Sequence, residues 1–437
     1  MRTAHGDIAY RVAGEGPTNL LLVNPMSRSI ETLWDYPATA AMLARLAQTH
    51  RLIAFDRRGC GVSDPLPSDV PPTWEDWLAD IVTVLDAIGA SDVALLAERD
   101  SAAASMLFAS SHPDRVRALV LGNTSARFRV APDYPCGESD ERSDQLCAMW
   151  DRAWATESMV SQTREQLTHD PDYVRWVLRM QRVSYSPRRA GAEFRYIINF
   201  DARSVLPSIH APTLVLHRAG FAVIPPAHAE YLAAHIAGAR LVVLPGTDMD
   251  VLVPGDAAAL TPIEDFLARL GPAPHSARAL TTVLCLAIAE AEQLAASFGD
   301  TRWQDLMVRH RAIVRAELGR FQGREARQPK GPFLASFDGP SRALRFARAV
   351  RQTLRDQLRF EIRVGVHTGE CVRAGDALSG PAVDVGTAVL AAAEAGEVLA
   401  TAAVKDLGVG SGIEFREIGA QALRGVPGQW PLFAVEG

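Results

Sequence analysis

The chain has 437 residues, 48% of them hydrophobic and 22% charged, which is too long for one ordinary domain and excludes disorder and fibrous repeats. Its net charge is −6 and its basic residues are scattered, so no basic face for a phosphate backbone stands out and nucleic acid is not an expected partner. The five cysteines, Cys60, Cys136, Cys147, Cys285 and Cys371, are odd in number and form no C-x-x-C pair, which argues against a disulfide framework and a zinc site and fits a reducing cytoplasm. The opening MRTAHGDIAYRVAGEG lacks the apolar core of a signal peptide, and no charge-free stretch of about 18 residues is present to cross a bilayer. The expectation is a cytoplasmic protein without a membrane partner.

Taken in chain order, residues 1–270 alternate short apolar runs with amphipathic stretches, the pattern of a mostly parallel α/β sheet covered by helices on both faces. Strands are expected at Asp7 to Val12, Asn19 to Val23, Arg51 to Phe55, Asp92 to Leu96, Arg117 to Leu121, Thr213 to His217 and Arg240 to Leu244. Residues 126–205 form a strand-free insertion in which Trp150, Trp154 and Trp176 stand among helix formers. It reads as a helical cap over the C-terminal edge of the sheet, where doubly wound folds place their ligand sites. The prolines of 271–278 cannot continue a helix and mark a linker. A second alternating pattern occupies 279–437. It starts at Leu280 and continues with a helix near Arg302 to Phe321, a strand pair around Phe333 to Phe337 and Phe360 to His367, and a helix near Val383 to Glu394.

Several motifs of the first domain are found together in one known superfamily. Asp56-Arg-Arg-Gly59, Val93-Ala-Leu-Leu96 before a turn, His112-Pro-Asp-Arg-Val116, Ala211-Pro-Thr-Leu-Val-Leu-His217 and Leu244-Pro-Gly246 resemble the α/β-hydrolase superfamily. The resemblance implies a nucleophilic Ser on a sharp strand-to-helix turn, a His on a late loop and an acid that orients it. The nucleophile position, thirteen residues before His112, is Arg99; the acid position is Phe221, after Gly220; and the His position is Met249, after Asp248. Arginine is no nucleophile, and phenylalanine and methionine relay no proton, so the acyl-transfer mechanism is unavailable at these positions.

Four residues are candidate substitutes. Asp100 needs a one-residue slip of the elbow, Ser101 lies inside the following helix, His217 ends a buried strand and His228 starts a helix; a structural role is favoured for each. Arg99 has two readings. It holds a ligand carboxylate or phosphate, or it is neutralised internally by Glu98, Asp100, Asp248 or Asp250, the second being favoured because an unpaired buried cation is costly. The expected ligand-binding set is Met26, Arg99, Asp100, Trp150, Phe221 and Met249, with Met26 on the loop that in relatives supplies an oxyanion N–H.

In the second domain, Gly365-Val-His-Thr-Gly-Glu370, Gly396-Glu-Val-Leu-Ala400 and Leu423-Arg-Gly-Val-Pro-Gly428 resemble the catalytic domain of class III adenylate and guanylate cyclases, a ferredoxin-like α+β fold. With Gly323-Arg-Glu325 and Phe333-Leu-Ala-Ser-Phe337, the order of domains resembles a bacterial hydrolase–cyclase fusion. The resemblance implies two carboxylates that hold two divalent ions, yet those positions are Ala287 and Gly331. The purine-selecting Lys becomes Arg327, and the Asn and Arg of the transition state become Asp384 and Ala388. No metal or other cofactor is expected. What the resemblance leaves is a head-to-tail dimerisation scaffold.

The reading is therefore a non-catalytic homodimer whose hydrolase-like pocket binds a small, partly apolar molecule, anionic if Arg99 is free to meet it. An enzyme with a rebuilt, serine-independent site (lyase, isomerase or cyclisation chemistry) and a regulatory partner of an active cyclase are the alternatives.

Overall fold

The computed structural model describes residues 2–3, 6–65, 72–164, 167–271, 278–326, 331–375 and 377–436. The chain divides into two compact units, 1–276 and 277–437. Most of the linker expected at 271–278 lies outside the described residues.

The first unit is a seven-stranded sheet. Its strands are β1 (Tyr10–Ala13), β2 (Thr18–Val23), β3 (His50–Phe55), β4 (Val93–Glu98), β5 (Val116–Gly122), β6 (Thr213–Arg218) and β7 (Arg240–Leu244), in the order β1-β3-β2-β4-β5-β6-β7. All neighbours are parallel except β1 with β3. The central strands are continuous apolar runs because helices cover both faces. The first expected strand is interrupted: Gly6–Asp7 joins a short ribbon with Arg2–Thr3, and strand pairing in the main sheet starts only at Tyr10. Between them the Ala9 backbone bonds the 56–64 loop, its N–H donating to Ser63 Oγ and its carbonyl accepting from the Asp56 N–H.

Helices α1 (Pro37–Thr49), α2 (Trp74–Ala87) and α3 (Ser101–Ser111) follow β2, β3 and β4. Reciprocal bonds between Thr73 and Asp76 start α2. The small side chains of α3, Ser-Ala-Ala-Ala-Ser, are buried. The insertion after β5 folds into four cap helices, α4 (Asp140–Ala153), α5 (Glu157–Thr163), α6 (Pro171–Ser184) and α7 (Pro187–Ile197), each with Ser, Thr or Asp as N-cap and a side-chain oxygen on the first turn. Helices α8 (Pro226–His235) and α9 (Leu260–Ala268) complete the unit.

The second unit is an α+β sheet. Its strands are β8 (Arg278–Ile288), β9 (Arg324–Ala326), β10 (Phe333–Phe337), β11 (Ile362–Ala374), β12 (Ala377–Ser379), β13 (Val398–Thr401), β14 (Phe415–Ala422) and β15 (Gln429–Val435). The order is β9-β10-β8-β11-β13-β15-β14, with β12 on β11. The strands expected as a pair, 333–337 and 360–367, are not neighbours, because the long strand β8 lies antiparallel between them. Leu284 and Leu286 of β8 face α10 (Ala291–Phe298), α11 (Asp300–Arg320) and α12 (Pro340–Leu358), whereas Val283 and Cys285 face α13 (Pro381–Ala392), the two-residue period of a strand buried on both sides. Helix α13 lies so close to β11 that a Cβ on Gly365 would stand 2.2 Å from the Leu390 backbone nitrogen. Basic residues are not scattered everywhere: Arg342, Arg345, Arg348, Arg351 and Arg355 recur at three- and four-residue spacing along α12.

Buried histidines make the fold acid-sensitive. Burial holds His367, whose Nδ1 is 2.9 Å from Thr401 Oγ1, and His310, beside Arg311, down at about 4, against 6.5 when exposed. The unfolded chain then binds protons that the folded chain excludes. The stabilising effect is complete above pH 6.5 and is lost as pH falls towards 4, by about 1.4 kcal/mol per pH unit per histidine. Urea unfolding of His367→Gln at pH 7.5 and 5.5 should lose about 1.4 kcal/mol of the wild-type pH dependence; an unchanged dependence would show that His367 already titrates normally in the fold.

Candidate functional site

The site is built on the turn between β4 and α3. Arg99 occupies that turn with φ of +52°. A non-glycine residue there costs roughly 1–2 kcal/mol, so neighbours must hold it. Its N–H donates to the Gly122 carbonyl at 2.9 Å, and its carbonyl accepts from Thr124 Oγ1 at 2.8 Å. This strained elbow presents the Arg99 side chain at the floor of a cavity beneath the cap.

Burial of the guanidinium is answered by carboxylates. Asp250 stands among three arginines: Arg99 Nε at 3.1 Å, Arg164 Nε at 3.1 Å and Arg28 Nη2 at 3.2 Å. Arg28 Nη1 also donates to Glu98 at 2.5 Å, and the other Glu98 oxygen accepts from the Val251 and Leu252 N–H groups. Ser27 Oγ accepts from Arg99 Nη2 at 3.0 Å and lies 3.4 Å from Arg164 Nη2. Burial opposes ionisation of Asp250, but the three arginines hold its carboxyl well below the usual range. Burial and the charge of Asp250 push Asp248 up. Burial, with Arg164 and Arg28 as like-charged neighbours, lowers Arg99 against the pull of Asp250.

A second set of charges lies where the resemblance places an oxyanion donor. The Met26 N–H, the donor expected to polarise a carbonyl, is 3.1 and 3.3 Å from the two Asp100 oxygens and is thereby engaged. Arg57 Nη2 lies 3.0 Å from Asp100 and 3.4 Å from Glu193 of cap helix α7. The Arg57 guanidinium covers the Trp77 ring at 4.2 Å, and the Tyr185 hydroxyl donates to Glu193 at 2.9 Å. An oxyanion at this position would meet a carboxylate.

The cavity has a volume of about 100 Å³ and is partly open to solvent. Its walls are chiefly apolar, with aromatic, thioether and aliphatic side chains. All six residues expected to bind a ligand, Met26, Arg99, Asp100, Trp150, Phe221 and Met249, line it. Trp150 stacks on Phe194 at 4.5 Å, whereas Trp154 and Trp176 pack elsewhere, their indole N–H groups donating to the Tyr185 and Thr32 carbonyls. Of the four carboxylates offered by the sequence to Arg99, Asp250 is the one in ion-pair contact. Ser101 is buried with its hydroxyl on the Glu98 backbone. Among the described residues no histidine lines the cavity; His228 Nδ1 is 2.7 Å from the Tyr134 hydroxyl, away from it, and His217 is buried.

Sequence reasoning missed Arg28, Arg57, Arg164, Phe128 and Phe194. Arg57 lies in the quoted Asp56-Arg-Arg-Gly59 and Arg28 two residues after Met26, so both could have been found as neighbours of the site. Arg164, at the end of α5 in a polar stretch, carries no signal of burial in its sequence.

Ala287 is on β8, Gly331 is exposed before β10, Asp384 is exposed on the first turn of α13, and Ala388 is buried on the same helix. Arg327 lies outside the described residues. Among the described residues no group of His, Cys, Asp and Glu could hold a metal ion.

This elbow, sheet and cap define an α/β-hydrolase fold, and the chain belongs to that family: its alpha/beta hydrolase fold profile matches residues 32–253. An enol-lactonase from Burkholderia xenovorans LB400 superposes with a TM-score of 0.51 at 22% identity, over 60% of this chain and 97% of that one. The esterase EaEST from Exiguobacterium antarcticum does so with 0.53 at 20%, over 60% and 96%. The adenylyl cyclase CyaB from P. aeruginosa aligns over 37% of this chain and 95% of its own at 21% identity, with a TM-score of 0.34. No curated protein sequence matches the chain. No helix among the described residues is long and apolar enough to cross a membrane.

The two neighbouring aspartates should respond oppositely to neutralisation. Asp250→Asn leaves three buried arginines short of a partner and should destabilise the first unit by about 3–5 kcal/mol. Asp248→Asn, which removes a carboxylate disfavoured by burial, should leave stability at pH 7.5 unchanged or raised. Urea denaturation at pH 7.5 reads both; equal losses would contradict the ion-pair assignment.

Proposed function

We propose that the hydrolase-fold unit is a non-catalytic receptor for a small, partly apolar molecule and that the second unit serves as a homodimerisation scaffold without cyclase chemistry, in a reducing bacterial cytoplasm. One observation carries the first part. The nucleophile position is a guanidinium in ion-pair contact with Asp250, while the oxyanion donor Met26 is engaged by the Asp100 carboxylate. Attack and oxyanion stabilisation are both lost, yet a lined cavity with a capping roof is kept. A rebuilt enzyme has less support, since Asp250 is committed to three arginines and Asp248 does not line the cavity. For the second unit, Ala287 and Gly331 supply no metal ligand. All five cysteines are free thiols, which suits a reducing compartment.

Activated esters such as 4-nitrophenyl butyrate should be hydrolysed no faster by the wild type than by Arg99→Met, and ATP with manganese should yield no cyclic nucleotide. Saturable ester hydrolysis absent from the variant, or cyclic AMP formed by the purified chain, would overturn the corresponding half. Light scattering during size exclusion should give twice the 47.3 kDa chain mass; a monomer would remove the scaffold role.

A further inference from the structure

The binding reading leaves the ligand's chemistry open, and the cavity floor narrows it. Arg99 and Asp100 are adjacent in sequence and both line the cavity. Arg99 Nη2 donates to Ser27 and Nε faces Asp250, but the contact of Nη1 is the Met249 sulfur at 3.9 Å, a weak acceptor. A donor is therefore left to spare. On Asp100, Oδ2 accepts from Arg57 at 3.0 Å and takes the shorter bond from the Met26 N–H, whereas Oδ1 has only a 3.3 Å share of that same N–H. An acceptor is left to spare beside the donor. Of the other polar residues on the lining, which include Ser125, Thr124 and Thr163 donate their hydroxyl protons to the Arg99 and Met159 carbonyls, and the second guanidinium, Arg127, is held by Asp201 and the Arg129 carbonyl.

Charge then discriminates between ligands. An anion drawn to Arg99 meets the Asp100 carboxylate next to it, and a cation drawn to Asp100 meets Arg99. A neutral group with an acceptor beside a donor satisfies both, and aromatic walls at Phe128, Trp150 and Phe221 suit a flat apolar body. We infer that the ligand, resting on the receptor reading above, is an uncharged apolar molecule carrying a carbonyl and an N–H on the same edge, as in a lactam, whose ring holds the amide cis, with the carbonyl on Arg99 and the N–H on Asp100. Where the sequence left an anionic ligand open, the paired floor favours a neutral one.

The test is a calorimetric comparison on the full-length wild-type chain at pH 7.5 with three probes of similar size: the cyclic amide dihydroisoquinolinone, the matching cyclic ester isochromanone, and 2-ethylbenzoate. The amide should bind best, the ester about tenfold more weakly because it leaves Asp100 without a donor, and the carboxylate more weakly still. In Asp100→Asn, whose side-chain amide can itself donate, the preference for amide over ester should vanish; the wild-type panel stands alone if that variant does not fold. Ester or carboxylate binding as tightly as the amide overturns this inference and leaves the receptor reading intact. Binding of none of the three up to millimolar concentration overturns both.

Discussion

A guanidinium buried at a strained elbow must be neutralised where it stands, and the first unit is arranged around that requirement. Leaving such a cation without a partner costs several kcal/mol. Asp250 supplies the charge, and because it also meets Arg28 and Arg164, one carboxylate ties together the loop after β2, the elbow, the cap and the late loop. Glu98 completes the set from the end of β4. Of the three positions that would carry a proton relay, Arg99 belongs to this network, whereas Phe221 and Met249 are apolar and line the cavity.

The same network bears on motion. Cap residues Arg164 and Glu193 are bonded to the sheet unit through Asp250 and Arg57, both contacts buried. Opening the cap would separate buried charges, so a ligand enters a roof held by ion pairs rather than by apolar packing alone. The stacked Trp150 and Phe194 form part of the cavity wall. An apolar body between that wall and the Arg99–Asp100 floor is the arrangement the receptor proposal requires.

Much of this was legible in sequence. The apolar strand runs and the insertion after β5 follow from hydrophobic periodicity, and spacing from His112 places Arg99 at the elbow, where the positive φ is found. The choice of Asp250 over Glu98, Asp100 and Asp248 as partner of Arg99 was not legible, because it depends on which way four neighbouring carboxylates point. Glu98 turns to the Val251 and Leu252 amides and Asp100 to Met26 and Arg57, and neither orientation is a property of local sequence. Arg164 was invisible for a similar reason: a polar helix end becomes buried only through tertiary packing. In the second unit, periodicity located the strands around 333 and 360 and a pattern starting at Leu280, but not that the strand there, β8, pairs between the other two, because strand order is set by long-range pairing.

The central claim is that Arg99 and Asp250 act as a pair in place of a catalytic relay. A double-mutant cycle with Arg99→Met, Asp250→Asn and the combined variant, read by urea denaturation at pH 7.5, measures that pairing directly. The account requires the combined variant to be more stable than the sum of the single losses implies, by about 2 kcal/mol or more. Losses that add within about 0.5 kcal/mol would contradict it, since the two side chains would then be independent and the elbow guanidinium would have to be neutralised by something else.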